Sequence, residues 1–121
     1  MRDGATREII DEFNQALDRH DVDAVMKLMT EDCVFENTSP FPDRERYEGQ
    51  TAVRAFWTSF MRGSPAAHFD AEEIVTAGDR CVVRWRYTLA GLDSAIGHIR
   101  GIDLFKVRKG KIAEKLAYVK G

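Results

Sequence analysis

In the first sixty residues, apolar side chains recur at intervals of three and four, the spacing of one face of an amphipathic helix. Residues 6–19 place Ile10, Phe13 and Leu17 on such a face. This pattern predicts a helix at the start of the chain. Two further helices are expected after the N-capping residues Asp21 and Thr51, with a strand over residues 32–37 and a long loop over residues 39–49 between them.

From about residue 67 onward the apolar period changes to two, which is typical of strands with one buried face. The Lys109-Gly110 dipeptide is a strong signal for a hairpin turn between the last two strands. Helices in the first half and strands in the second indicate an α+β fold, with a curved sheet wrapped around three N-terminal helices. The predicted strands cover residues 69–77, 80–90, 96–108 and 111–120.

The 121 residues fit a single domain, which we assign to residues 1–121. A formal charge of −2 argues against a strongly basic nucleic-acid-binding protein. No apolar run approaches the roughly 20 residues that span a bilayer, and the N-terminal residues lack the apolar core of a signal peptide. With two cysteines and no CxxC pair, the chain is expected to be cytoplasmic, without membrane association.

Motifs for cofactors and metals are missing from the sequence. There is no GxGxxG or GxxxxGK[ST] phosphate-binding loop and no GxSxG nucleophile elbow. The histidines His20, His68 and His98 are far apart and lack the spacing of metal ligands, and His20 is expected to be solvated. We therefore expect neither a cofactor nor a metal.

Asp103 is the most informative position of the strand over residues 96–108. Alternation places it on the same face as Gly101, Phe105 and Val107, and that face is otherwise apolar. An ionised carboxylate there is costly unless it is paired, hydrogen-bonded or held with a raised pKa. A raised pKa suits a general acid or base at neutral pH. A structural Asp tied to the backbone or to a neighbouring cation fits the pattern equally well.

The register of the last hairpin bears on this choice. A two-residue loop at Lys109-Gly110 would pair Asp103 with Leu116. A three-residue loop over residues 108–110 would pair Asp103 with Lys115, and this cation would lower the pKa of the carboxyl. The residues alone leave both registers open.

Four segments follow one another along the chain: FNQALDRHDVDAVMKLMTEDCVFEN, YEGQTAVRAFW, GDRCVVRWRY and HIRGIDLFKVRKGKIAEKLAYVKG. Their order and spacing resemble the SnoaL-like branch of the nuclear transport factor 2-like superfamily. The resemblance covers nearly the whole chain and implies a cone-shaped α+β barrel with a pocket between helices and sheet. Many members of the superfamily are homodimers that pair through the outer surface of the sheet.

The resemblance also suggests roles for single residues. SnoaL-like cyclases use an Asp in a G-x-D-x-F/W setting as acid/base, which Gly101, Asp103 and Phe105 match. In ketosteroid isomerases the catalytic base would fall at Asn37 and the partner Tyr at Phe13, which disfavours isomerase chemistry. Limonene epoxide hydrolases would need an Asp where this chain has Ala117. The comparison with these enzymes favours Lys115 pointing inward.

Together these arguments predict a pocket for a small hydrophobic molecule and a homodimer. One hypothesis is an enzyme that uses Asp103 for proton transfer on a carbonyl or polycyclic substrate. The other is a non-catalytic ligand-binding or scaffold domain. The dimer would form through the outer sheet face, which carries Arg84, Arg86, His98, Arg100, Ile102 and Leu104. The predicted pocket residues are Phe13, Phe35, Asn37, Trp57, Phe60, Trp85, Asp103 and Lys115, with Tyr47 over the mouth.

Overall fold

A six-stranded mixed sheet packs against three helices in the computed structural model, which describes residues 2–38, 45–64, 66–89 and 97–120. The strand order is β2-β1-β6-β5-β4-β3, and β1 runs parallel to β6 while all other neighbours are antiparallel. The α+β prediction is confirmed. The elements are α1 (Arg2–Asp18), α2 (Val22–Lys27), β1 (Met29–Glu36), β2 (Arg46–Glu48), α3 (Gln50–Gly63), β3 (Ala67–Ala77), β4 (Arg80–Leu89), β5 (His98–Arg108) and β6 (Lys111–Val119).

The apolar stripe of α1 lies against the sheet, as its spacing predicts. Ile10, Phe13 and Leu17 are buried, and the Phe13 ring meets Phe105 of β5 edge-on at 5.6 Å between centroids. At the end of the helix, a carboxylate oxygen of Asp18 accepts a hydrogen bond from the backbone N–H of Phe69. The helix is thereby fixed across the inner face of β3 to β5.

The starts of the second and third helices differ from each other. Asp21 caps α2 as predicted, because its side chain accepts a hydrogen bond from the N–H of Ala24 at 3.1 Å. Thr51 was the wrong cap for α3, which begins at Gln50 after Gly49. Gly49 has a φ of 87°, a conformation that favours glycine, and its N–H donates to the carbonyl of Cys33 in β1.

The loop prediction over residues 39–49 missed the edge strand β2. Its three residues pair antiparallel with β1, so that Tyr47 lies opposite Phe35. A strand of this length shows no alternation, and Arg46 forms ion pairs at 2.8 Å with both Glu36 and Glu48. Residues 39–44 lie outside the described part of the chain, as do residues 90 and 96 at the ends of predicted strands.

A β-bulge decides the register of the last hairpin. The two-residue turn is correct, because Val107 lies opposite Ile112, but Lys106 then lies opposite Glu114. Ala113 is therefore an extra residue that shifts all later pairs by one position. Asp103 lies opposite Ala117, so both expected partners, Leu116 and Lys115, were wrong. The shift nevertheless turns Lys115 onto the inner face, where Asp103 also lies.

His20 is not simply solvated as expected. Its ring Nε2 lies 2.9 Å from the carbonyl oxygen of Ala67 at the start of β3. The residue has a φ of 59°, which is uncommon for a residue other than glycine. His20 thus joins the turn between α1 and α2 to the sheet.

Candidate functional site

A buried ion pair links the two central strands β5 and β6. The Nζ atom of Lys115 lies 3.2 Å from Oδ1 of Asp103, and the two side chains are 5% and 1% exposed. Alternation along β5 turns Asp103 inward, and the bulge at Ala113 turns Lys115 inward beside it. The two strands thus bring two charged groups together on the inner face of the sheet.

Aromatic rings surround the Lys115 ammonium. Its Nζ lies 4.8 Å from the ring centroid of Phe35, 5.3 Å from that of Trp57 and 6.0 Å from that of Phe105. At these distances the negative faces of the rings attract the cation. The charge of Lys115 is therefore stabilised from the side of β1 and α3 as well as by Asp103.

Burial raises the pKa of the Asp103 carboxyl above its ordinary value. Lys115 and the indole N–H of Trp85 both act in the opposite direction and do not cancel this effect. The Trp85 N–H lacks the alignment of a good hydrogen bond to the carboxylate, since neither group has a geometric partner among the described residues. The cation beside Asp103 was expected to lower its pKa overall, and that expectation is wrong because desolvation dominates.

The glycine of the G-x-D-x-F segment makes room for Trp85. A Cβ atom added to Gly101 would come within 2.7 Å of Cζ2 of Trp85 and within 2.3 Å of the carbonyl oxygen of Tyr118. Gly101 faces Trp85 across the β4–β5 pair. Its lack of a side chain leaves room for the six-membered ring of the Trp85 indole against β5.

A partly open cavity of about 90 Å³ lies between α3 and the sheet. It brings together six of the predicted site residues, whereas Phe13 and Asp103 are not among its lining residues and Tyr47 packs behind Phe35 at 6.1 Å between ring centroids. Lys115 and Trp85 line the cavity and also interact with Asp103. The predicted residues that line the cavity are Phe35, Asn37, Trp57, Phe60, Trp85 and Lys115.

Sequence reasoning left several lining residues out of the predicted site. Phe56 and Tyr87 contribute aromatic rings, and Ile99 and Ala117 contribute aliphatic groups. Alternation along β4 places Tyr87 on the same face as Trp85 and indicates that both rings can line a pocket, although Tyr87 is not in the predicted set. Phe56 precedes Trp57 on α3, where helical spacing alone does not show which of two adjacent rings reaches the cavity.

Within the four described ranges, no group of three His, Cys, Asp or Glu side chains is placed to hold a metal ion. None of the described helices combines the length and the apolar character needed to cross a membrane.

Comparisons with known proteins agree with this architecture. An NTF2-like protein of unknown function from Mesorhizobium loti is 40% identical, with a TM-score of 0.86 over 100% of this chain and 95% of the other. The model of the SnoaL-like domain matches residues 10–115. The chain belongs to the SnoaL-like domain family. The predicted cone-shaped fold of this SnoaL-like protein is thereby confirmed.

More distant structures share the fold alone. A candidate polyketide cyclase from Sinorhizobium meliloti is 20% identical, with a TM-score of 0.77 over 91% of this chain and 93% of the other. A candidate ketosteroid isomerase from Kribbella flavida is 16% identical, with a TM-score of 0.81 over 98% of this chain and 79% of the other. No curated protein matches the SnoaL-like chain.

Proposed function

We propose that this SnoaL-like protein binds a small, mainly apolar molecule in the cavity between α3 and the sheet. The observation that carries the proposal is the charged side chain of Lys115 in the lining of a cavity whose walls are otherwise mostly aromatic. Ligand sites are commonly apolar with a few polar groups that fix orientation. Two structures of the same fold are named as a candidate cyclase and a candidate isomerase, and both activities require a small-molecule pocket.

The volume of the cavity limits the size of the ligand. Sites for drug-sized molecules enclose roughly 300–1,000 Å³, whereas this cavity has about 90 Å³. We therefore propose a ligand with a single ring or a short chain, in preference to a fused polycycle.

The two tryptophans offer a direct test of binding. Both Trp57 and Trp85 line the cavity, and they are the only two in the chain. Toluene added to ¹⁵N-labelled protein should therefore shift both indole N–H signals, assigned with Trp57→Phe and Trp85→Phe variants. The amide signals of the exposed turn at Gly110 serve as the control. Unmoved indole signals at saturating toluene would contradict the proposal.

Proton transfer is a second candidate function, favoured by the raised pKa of Asp103. The Asp103 carboxylate would accept the proton removed from the carbon next to a ligand carbonyl, and the Lys115 ammonium would donate a hydrogen bond to the carbonyl oxygen, which gains the negative charge of the enolate. Phenylacetone in D₂O should then exchange its methylene protons faster with the protein than without it. Asp103→Asn should lower this rate by about 10²–10⁴, while Lys111→Met on the exposed part of β6 should not. If the exchange is no faster than in buffer alone, the proton-transfer function is excluded and only the ligand-binding function stands.

A homodimer through the outer sheet face remains part of the proposal. Ile102 and Tyr118 are 38% and 48% exposed there, next to Arg84 and Arg100. Apolar side chains with a charged rim suit a protein–protein interface. Light scattering should give twice the 13.8 kDa chain mass, and Ile102→Glu should give the monomer. A monomer mass for the unaltered protein at millimolar concentration would exclude this dimer.

A further inference from the structure

The polar groups of the cavity are mainly hydrogen-bond donors. The Nε1 atom of Trp57 and the hydroxyl of Tyr87 are buried, and neither has a hydrogen-bond partner among the described residues. The N–H of Trp85 is also buried and acts on the Asp103 carboxyl. Trp57 and Trp85 are 3% and 4% exposed. The Lys115 ammonium adds further N–H donors, of which one faces Asp103.

The same wall offers fewer free hydrogen-bond acceptors than donors. The Oδ1 atom of Asn37 already accepts a hydrogen bond from the N–H of Thr38 at 2.8 Å. Buried donors without acceptors are unfavourable, and an indole N–H can only donate. A ligand complementary to this wall supplies oxygen lone pairs and has no need of donors of its own.

We infer that the cavity takes a small planar oxyanion, in the simplest case an aromatic carboxylate, and that a proton enters the site with it. This inference rests on the proposed ligand-binding function and adds the chemical class of the ligand. The carboxylate oxygens accept from Lys115, from the indole N–H of Trp57 and from the hydroxyl of Tyr87. The ring of the ligand lies among the half-buried rings of Phe56, Phe60 and Tyr87, nearer the mouth.

The net charge of the buried site explains why a proton should enter together with the anionic ligand. When Asp103 and Lys115 are both ionised, their charges cancel, and an incoming anion leaves the buried site with a net negative charge. Burial raises the pKa of Asp103 and so eases its protonation, and burial together with the Asp103 carboxyl raises the pKa of the Tyr87 hydroxyl of β4. Asp18 of α1 also raises the pKa of Tyr87 and adds negative charge on that side of the site. Protonation of Asp103 leaves Lys115 free to balance the anion.

Benzoate and benzyl alcohol form a matched pair of probes, since they share the ring and differ in charge. We expect benzoate to move both indole N–H signals and to bind at least about tenfold more tightly than benzyl alcohol at pH 6. Lys115→Met should remove this preference, whereas Lys111→Met on the same strand should keep it. Equal affinity for the two probes would overturn the inference.

The pH dependence tests the proton separately. Affinity for benzoate should fall as pH rises, approaching about tenfold per pH unit once the free Asp103 carboxyl is ionised, as uptake of one proton requires. Calorimetry at pH 8.5 in phosphate and in Tris should show enthalpies that differ according to proton uptake. Asp103→Asn should bind benzoate with little pH dependence. A pH-independent affinity in the unaltered protein would overturn the inference without need of any variant.

The outcomes separate this inference from the function on which it rests. Toluene binding at the indoles with no binding of benzoate overturns the oxyanion inference and leaves the proposed function standing. The oxyanion inference is also overturned if benzoate shifts amide signals near Arg84 and Arg100 but leaves the indole signals unchanged. Failure of toluene, benzyl alcohol and benzoate alike to move the indole signals overturns both.

Discussion

Replacing Asp103 with Asn tests how the charge of the central pair contributes to stability. The amide has nearly the shape of the protonated carboxyl but carries no charge. The side chain is 1% exposed and lies 3.2 Å from the Lys115 ammonium, so solvent hardly screens the pair. The variant therefore isolates the free energy of holding a carboxylate at this position.

Two effects of opposite sign compete in this variant. Removing one partner of a buried ion pair typically costs about 3–5 kcal/mol, because the remaining charge loses its counter-charge. Against this, burial raises the pKa of Asp103, and each unit of such a rise means that ionisation destabilises the fold by about 1.4 kcal/mol. Because the net direction is upward, we expect Asp103→Asn to leave the free energy of unfolding at pH 7 unchanged or to raise it.

The raised pKa of Asp103 also makes the stability of the fold depend on pH. A carboxyl whose pKa is higher in the folded than in the unfolded state stabilises the fold at low pH, and this contribution disappears as pH rises through the folded value. An unfolded Asp has a pKa of about 3.9. The unaltered protein should therefore lose stability relative to Asp103→Asn as pH rises from about 4.

Urea unfolding at pH 4.5, 7 and 8.5 measures both effects. Asp32→Asn is a control, because Asp32 pairs with Arg108 on the surface and its loss should change stability little. A loss of about 3–5 kcal/mol at pH 7 in Asp103→Asn, recovered by adding Lys115→Met, would refute the reasoning. It would show that the ionised pair stabilises the fold and that Asp103 is a structural partner.

Three further substitutions test packing and hydrogen bonding by urea unfolding. Gly101→Ala should cost about 1–3 kcal/mol and shift the Trp85 indole signal, whereas Gly63→Ala, with no neighbouring atom within 4 Å, should be neutral or slightly stabilising; equal effects would contradict the proposed contact. Asn14→Leu should raise stability by about 1–2 kcal/mol, because both polar atoms of this buried amide lack partners among the described residues, and a loss would mean that Asn14 has a partner. Gln50→Ala should cost about 1–2 kcal/mol, because its Nε2 lies 3.1–3.2 Å from the carbonyls of Met26, Met29 and Thr30; an unchanged midpoint would contradict this.

The fold could be predicted from the sequence because the two apolar periods are long and uninterrupted. The stripe of α1 and the alternation around Asp103 both depend on local geometry that many residues repeat. Lys115 is different, since its face depends on one extra residue at Ala113, and a bulge leaves no trace in an alternating pattern. The edge strand at Tyr47 is too short to show a period.

The candidate site could be predicted only as a set of inward-facing residues. Phe13 and Phe35 both face inward, yet Phe13 packs on Phe105 in the core while Phe35 reaches the cavity. Whether a ring packs in the core or lines the cavity depends on how α1 and α3 lie on the curved sheet. That arrangement is set by contacts between elements distant in the chain, which a single sequence does not display.

The pairing of β1 with β6 has a consequence for how the protein is made. Met29–Glu36 lies beside Lys111–Val119, so the earliest strand completes its hydrogen bonds only with the latest one. On the ribosome, β1 and the rings around Phe35 must wait for some eighty residues of later synthesis. Such long-range pairing slows folding and leaves a strand edge open meanwhile. Chaperone demand during translation should therefore centre on this segment, which later forms the inner wall beside Lys115.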